Sequence, residues 1–188
     1  MESNAAILIV SGNRERGERC ASYLRPAYEV TTATDVESAR AALDREIDVV
    51  FVDDDLPDGS GEDVVRVLRG RDVRARAAVF TPSVPQDDVA DRGFDEFLVT
   101  PVADDELVAA VERLLDLLAY DEKLRESAEL ASERASMAAG TAEESGDVEA
   151  RYSHVNARLD QLEEDLRTIG GRIGTTGYRV AFRDIGDE

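Results

Sequence analysis

The chain has no tryptophan, and one each of histidine (His154), cysteine (Cys20) and lysine (Lys123). Each shortage excludes a kind of chemistry. Cys20 by itself makes neither an intrachain disulfide nor a cysteine metal site. His154, with no second histidine beside it, is no metal centre and is expected to face solvent. No apolar run approaches the ~18 residues that span a bilayer. The opening Met1-Glu2-Ser3-Asn4 lacks the basic stretch of a signal peptide. A cytoplasmic protein without a membrane partner is expected. Positive charge is scarce: 22 basic residues stand against 42 acids, for a net charge of -20. General nucleic-acid binding rests on cations displacing phosphate counterions, so this balance weighs against it and leaves only a local patch open. Acid excess with lysine avoidance fits a salt-rich cytoplasm. At about 1 M salt the Debye length is only about 3 Å, and the self-repulsion of such a surface is screened.

What is present suffices for a packed domain and a smaller appendage: 188 residues, 43% of them hydrophobic. Five short apolar or β-prone runs recur: Ala6–Val10, Tyr28–Thr32, Val49–Val52, Ala77–Phe80 and Glu96–Val99. Amphipathic stretches separate them. Arg14–Leu24 is a polar helix, and Thr34 with Glu37 stands at capping-box spacing before Ala39, Ala42 and Leu43. Ser60-Gly61-Glu62-Asp63 caps a third helix with Val64, Val65 and Leu68 on its apolar face, and a short helix is expected at 86–92. Near-continuous apolar runs alternating with helices predict an α/β fold, a doubly wound parallel sheet of five strands. In such sheets ligands meet the carboxyl ends of the strands. That places Ser11, Gly12, Asp53, Thr81 and Thr100 along one cleft. Arg66, Arg69, Arg71, Arg74 and Arg76 form the only basic cluster, at the opposite end of the sheet. A solvated loop offsetting the acidic surface explains it, as does docking of an acidic partner or nucleic acid.

From Asp104 the pattern becomes that of long helices. Leu107, Val108, Val111, Leu114, Leu115 and Leu118 make one stripe, and Leu124, Ala128, Ala131, Ala135 and Ala138 a second, thinner one. After a polar break at 140–146, Val148, Tyr152, Val155, Leu159, Leu162, Leu166 and Ile169 follow a heptad seam that Gly170-Gly171 is expected to end. Two arrangements, not exclusive of one another, use this seam: a helical hairpin with the alanine-rich helix, slightly favoured, and a homodimeric coiled coil through 148–169. The glycine-rich 171–177 follows a helix rather than a strand and lacks the context of a phosphate loop. The aromatics of 178–185 are expected to pack on the helices.

The stretch Val52-Asp53-Asp54-Asp55-Leu56-Pro57-Asp58-Gly59-Ser60-Gly61, with Thr81 after the fourth run and Phe97-Leu98-Val99-Thr100-Pro101 at the fifth, resembles the receiver domain of two-component response regulators over residues 1–119. Residues 120–188 are similar to the HalX domain, a helical module that follows receivers in halophilic archaea. The resemblance implies a flavodoxin-like fold and a signalling role in a phosphorelay, with a histidine kinase as partner. Asp53 takes the phosphoacceptor position and Thr81 with Phe97 the switch pair. It further implies Mg²⁺, held by Asp53, by an acidic pair after the first strand and by the carbonyl of Asp55, and a lysine just before Pro101. Here the acidic-pair positions hold Ser11 and Gly12, and the lysine position holds Thr100. Mg²⁺ binds weakly without several oxygen ligands, so a metal site is expected to be weak if any, built on Asp53 with Asp55, or with Asp58 lending a carboxylate. Losing one preorganised electrostatic donor costs about 2.7–4 kcal/mol at a barrier. The expectation is therefore a non-enzymatic pseudo-receiver that needs no cofactor, is weakly phosphorylated at Asp53 or not at all, and signals by protein contact. A transcription regulator binding DNA through the C-terminal helices is the alternative, and a receiver with an unconventional metal site a third.

Overall fold

The computed structural model describes residues 5–43, 46–71, 74–139 and 146–181. In chain order the elements are β1 (Ala6–Val10), α1 (Arg14–Leu24), β2 (Glu29–Ala33), α2 (Val36–Ala42), β3 (Val49–Asp53), β4 (Asp55–Leu56), β5 (Gly59–Ser60), α3 (Gly61–Gly70), β6 (Arg76–Thr81), β7 (Glu96–Val99), α4 (Asp104–Ala139) and α5 (Gly146–Ala181). Five strands form one parallel sheet in the order β2-β1-β3-β6-β7. Strands β4 and β5 are a small antiparallel ladder that folds the chain back after Asp53. The order reverses beside β1, so β1 and β3 meet at the point where such sheets bind ligands.

Successive residues of a strand face opposite sides, and both sides are buried. Leu8, Val10, Val50, Val52, Ala77 and Val79 join Ala39, Val64, Val65 and Leu68 of α2 and α3 in one apolar cluster. Ile7, Ile9, Phe51 and Phe80 alternate with them and are likewise buried, as are Cys20, Ala21 and Leu24 of α1 and Leu107, Val111 and Leu114 of α4. The Phe51 and Phe80 rings stack with centroids 5.6 Å apart. Each such aliphatic side chain contributes roughly 1.5–3 kcal/mol on burial, which makes this sheet the stable frame of the site.

Local signals account for the helix starts, with one shift. Ser60 caps α3 in a reciprocal box with Asp63. For α2 the box is Asp35 with Ser38, one residue later than the Thr34–Glu37 pair expected from sequence. Both pairs have the same spacing. Asp58 decides between them by accepting the Val36 and Glu37 amides at 2.7 and 3.1 Å, which fixes where the helix begins. The helix expected at 86–92 is not there; that segment is turns. Val89 and Phe94 bury the segment instead, and Gly93, at φ +88°, makes a turn where a Cβ would lie 2.9 Å from Val65.

The chain divides after Leu118, and a second compact unit spans Ala119–Tyr178. It is a helical hairpin. Lys123 pairs with Asp165, Arg158 with Glu126, and Arg151 with Glu133, an antiparallel series across α4 and α5. Val155, Leu159, Leu162 and Ile169 are buried, so the heptad seam is used inside one chain. The hairpin is thus formed within the chain, and the buried side chains of the seam are covered by α4. The facing stripe of α4 also differs from expectation. Leu124 is 44% exposed, and Ala128, Ala135 and Ala138 are exposed too. Alanines bury little area, and α4 turns Tyr120, Lys123, Glu126 and Glu133 inward instead. Helix α5 runs through Gly170-Gly171. Burial of Ile169 and Ile173 on either side outweighs the ~1 kcal/mol penalty of each helical glycine. The break at 140–145 and the tail beyond 181 lie outside the described residues, as do the side chains of 174–181.

Candidate functional site

Asp53 is the last residue of β3, held with its neighbours in register against β1 and β6. It is buried, at 4% exposure. The chain leaves β3 through Asp54, whose amide bonds the Phe80 carbonyl at 3.1 Å, and enters α3 at Gly61. A Cβ on Gly61 would lie 2.7 Å from the Asp53 carbonyl, so only glycine lets the helix start this close to the site.

One carboxylate oxygen of Asp53, Oδ2, takes the hydrogen bonds of its side chain. The Ser11 hydroxyl donates to it at 2.9 Å and the Gly12 amide at 3.0 Å. The third donor is the Arg16 guanidinium, whose Nη2 forms an ion pair with the same oxygen. The other oxygen, Oδ1, is buried without a hydrogen-bond partner, and so is Nε of Arg16. Asn13 caps α1 by accepting the Arg16 amide at 3.1 Å, which sets Arg16 in the first helical turn. Arg16 then borders an open cleft of about 380 Å³, lined also by Asn13, Glu15, Arg19, Thr100 and Pro101.

The residues expected from sequence are thus brought to one place, but not all in the expected role. Ser11 and Gly12 sit at the acidic-pair positions and donate hydrogen bonds to Asp53 instead of offering carboxylates. Thr81 is buried beside them, with its hydroxyl turned to the Ser83 carbonyl at 2.9 Å. Thr100, joined to Pro101 by a cis peptide, donates both its amide (2.8 Å) and its hydroxyl (3.3 Å) to the Thr81 carbonyl. Phe97 is partly buried and packs on the apolar cluster. Asp55 is exposed on β4, with its carbonyl turned toward Gly12. Asp58 is occupied by the α2 amides and lends no carboxylate to the cleft.

Three further residues, two in the site region and one at the opposite end of the sheet, carry no motif. Arg16 is the first; with Thr100 at the lysine position, the cation beside Asp53 comes from α1 instead. The second is Arg92, in the turns before β7, which pairs with Asp54 and with Glu62 (2.5 Å) and lies over the Phe94 ring at 5.4 Å. Through it the β6–β7 segment is tied to the residue after Asp53. The third is Asp95 at the far end of the sheet, buried and paired with Arg69 and Arg76. Arg71 bonds the Arg40 carbonyl at 3.0 Å and Arg66 pairs with Asp63. Four of the five arginines in the basic cluster are thereby engaged within the chain. A sequence signal for Arg16 did exist: the first turn of a helix disfavours cations by its dipole, so an arginine there asks for a partner.

The fold family implies a divalent cation, and the donor set can be tested against it. Mg²⁺ wants octahedral oxygen ligands. Here the one bonded oxygen of Asp53 is taken by three donors, Asp54 is paired with Arg92 and Asp58 caps a helix. Among the described residues no cluster of three or more acidic, histidine or cysteine side chains is arranged to hold a metal. The residues present do not fit the ion.

Residues 116–182 match the HalX domain. This segment is a HalX domain. Residues upstream of it have the receiver fold. The signal receiver domain of a LuxO repressor protein from Vibrio parahaemolyticus superposes with a TM-score of 0.59 at 21% identity, covering 64% of this chain and 96% of that one. The receiver domain of the sensor histidine kinase PA1611 from Pseudomonas aeruginosa, solved with a magnesium ion in its active-site cleft, gives 0.55 at 23%, covering 60% and 98%. A Haloferax volcanii protein named as a transcriptional regulator is 31% identical over 160 residues, which is 85% of this chain and 27% of the relative. Response regulator SaeR of Staphylococcus aureus is 26% identical over 113 residues, 58% of this chain and 50% of the relative. The chain thus spans about a quarter to a half of the length of these curated relatives. Upstream of the HalX segment the chain shares the five-stranded parallel sheet of these neighbours. No helix among the described residues is long and apolar enough to cross a membrane.

Proposed function

We propose that this receiver–HalX chain is a cytoplasmic two-component signalling protein without enzymatic activity, whose receiver unit is weakly phosphorylated at Asp53 or not at all and communicates by contact. A histidine kinase or another signalling protein is its partner, at the surface formed by β6, β7 and the segment between them. The acidic, lysine-poor composition suits a salt-rich cytoplasm, and a Haloferax relative is in keeping with that. The observation that carries the reading is the saturation of Asp53 Oδ2 by Ser11, Gly12 and Arg16. Phosphoryl transfer depends on positioning and on cations at the equatorial oxygens, and this carboxylate is held by its own donors while the lysine position is Thr100. Intact-mass spectrometry after treatment with acetyl phosphate and Mg²⁺ tests it. The expected result is little or no added phosphoryl group; stoichiometric modification at Asp53 overturns the reading.

A second reading, DNA binding through the HalX helices, is favoured by one observation, the name of the Haloferax relative. A titration of DNA affinity against salt separates the two. Steeply falling affinity, linear in log salt, belongs to a DNA-binding protein; no measurable affinity at low salt leaves protein contact.

A further inference from the structure

We propose that the guanidinium of Arg16 is the resident cation of the Asp53 site: it occupies the role a divalent ion would take, so the carboxylate is neutralised from within the chain and the site does not answer to Mg²⁺. The inference deepens the function proposed above and rests on its reading of Asp53 as a phosphoacceptor position held by the chain's own donors. Three observations support it. Asp53 is buried, and a buried charge with no partner is costly, so some cation has to stand beside it. The cation that does so is covalently part of α1, and it contacts the oxygen that Ser11 and Gly12 also hold. Arginine is also placed against its local preference, in the first turn of a helix whose dipole favours acids there. A first-turn cation that is simultaneously an ion-pair partner for the buried carboxylate has a reason to be tolerated.

The same geometry explains why metal ligands are dispensable here. A divalent ion needs several carboxylates and carbonyls converging on it, whereas a guanidinium needs one carboxylate and brings its own donors in a fixed plane. Ser11 and Gly12 then complete the shell as neutral donors to the same carboxylate oxygen. The Arg16 side chain is 31% exposed along the cleft, so its end of the pair stands at the protein's surface rather than in its core.

The test uses the full chain at constant, high ionic strength. Amide shifts of Ser11, Gly12 and Asp53 are followed while Mg²⁺ is added against an equivalent of KCl. In the wild type these amides are expected to respond equally to both salts. In Arg16→Gln a saturable, Mg²⁺-specific shift is expected, as the ion neutralises the carboxylate the guanidinium has left. Thermal unfolding gives the second readout. Arg16→Gln lowers Tm by roughly 5–10 °C, and adding Asp53→Asn restores most of that loss, because the uncompensated charge is gone. Arg16→Lys keeps the charge and stays indifferent to Mg²⁺, which guards against a glutamine variant that folds poorly. A saturable Mg²⁺ shift in the wild type overturns the inference, and so does a Tm unchanged in Arg16→Gln or not recovered by Asp53→Asn. Acetyl phosphate separates this from the reading of weak phosphorylation. Stoichiometric modification of wild-type Asp53 in EDTA overturns that reading but supports Arg16 as the working cation. Modification that requires Mg²⁺ overturns both.

Discussion

The two ends of the sheet each bury an aspartate against arginine, and they do it differently. At the amino-terminal edge, Asp95 uses both carboxylate oxygens: Oδ1 accepts from Arg76 at 2.6 Å, and Oδ2 from the Ala77 amide at 2.8 Å and Arg69 at 3.3 Å. At the carboxyl edge, Asp53 crowds all its donors onto Oδ2 and leaves Oδ1 with no partner. Both residues are below 9% exposure, so burial does not distinguish them. Satisfaction does. A carboxylate whose work is to hold β6 and β7 together has each oxygen occupied. The other has three donors converging on a single oxygen at the edge where such sheets meet ligands.

That contrast makes ordered expectations. Asp95→Ala removes the shared acceptor of two guanidiniums and an amide, so it should destabilise the receiver unit by about 3–5 kcal/mol in denaturant unfolding. Arg16→Gln breaks a single ion pair and leaves Ser11 and Gly12 on the carboxylate, so it should cost about 1–2 kcal/mol, less than Asp95→Ala by a clear margin. Ser11→Ala removes one neutral donor from Asp53 and should cost about 1 kcal/mol. Asp53→Asn should be close to neutral, within about 1 kcal/mol, since the amide oxygen still accepts from Ser11 and Gly12 and an imperfectly paired charge is gone. If Asp53→Asn proves as damaging as Asp95→Ala, the distinction between the two ends is void. The smallest effect concerns pH. Burial pushes the Glu96 carboxyl up, against the opposing pull of Arg113. Its folded value then lies above its unfolded one, so its share of stability is present at low pH and is lost as pH rises from the ordinary carboxylate value through the raised one. Glu96→Gln should flatten that slope in unfolding free energy measured across mildly acidic pH.

Much of the fold was legible in the residues because it rests on local repetition. Five short runs with helices between them place Asp53 at a strand end, and Ser60 with Asp63 marks the start of α3. Elements that depend on competition were harder to see. Thr34 and Asp35 offer rival caps at the same spacing, and a distant residue, Asp58, chooses. The 86–92 segment has helical composition, yet Arg92, Val89, Gly93 and Phe94 hold it as turns. The candidate site was half visible for a similar reason. Asp53, Thr81 and Thr100 follow from strand ends, which sequence shows. Arg16 meets Asp53 only because α1 and β3 flank β1, a relation 37 residues apart that no local pattern carries. Likewise Arg69 and Arg76 read as a surface cluster until the sheet brings Asp95 between them.

The pairing of Lys123 with Asp165 has a practical corollary. Because this is the one side-chain amine of the sequence, a dye or acyl reagent that modifies lysine addresses a single side chain, and that side chain lies in the hairpin. Labelling speed there reports how often that helical pair opens, with no engineered residue required.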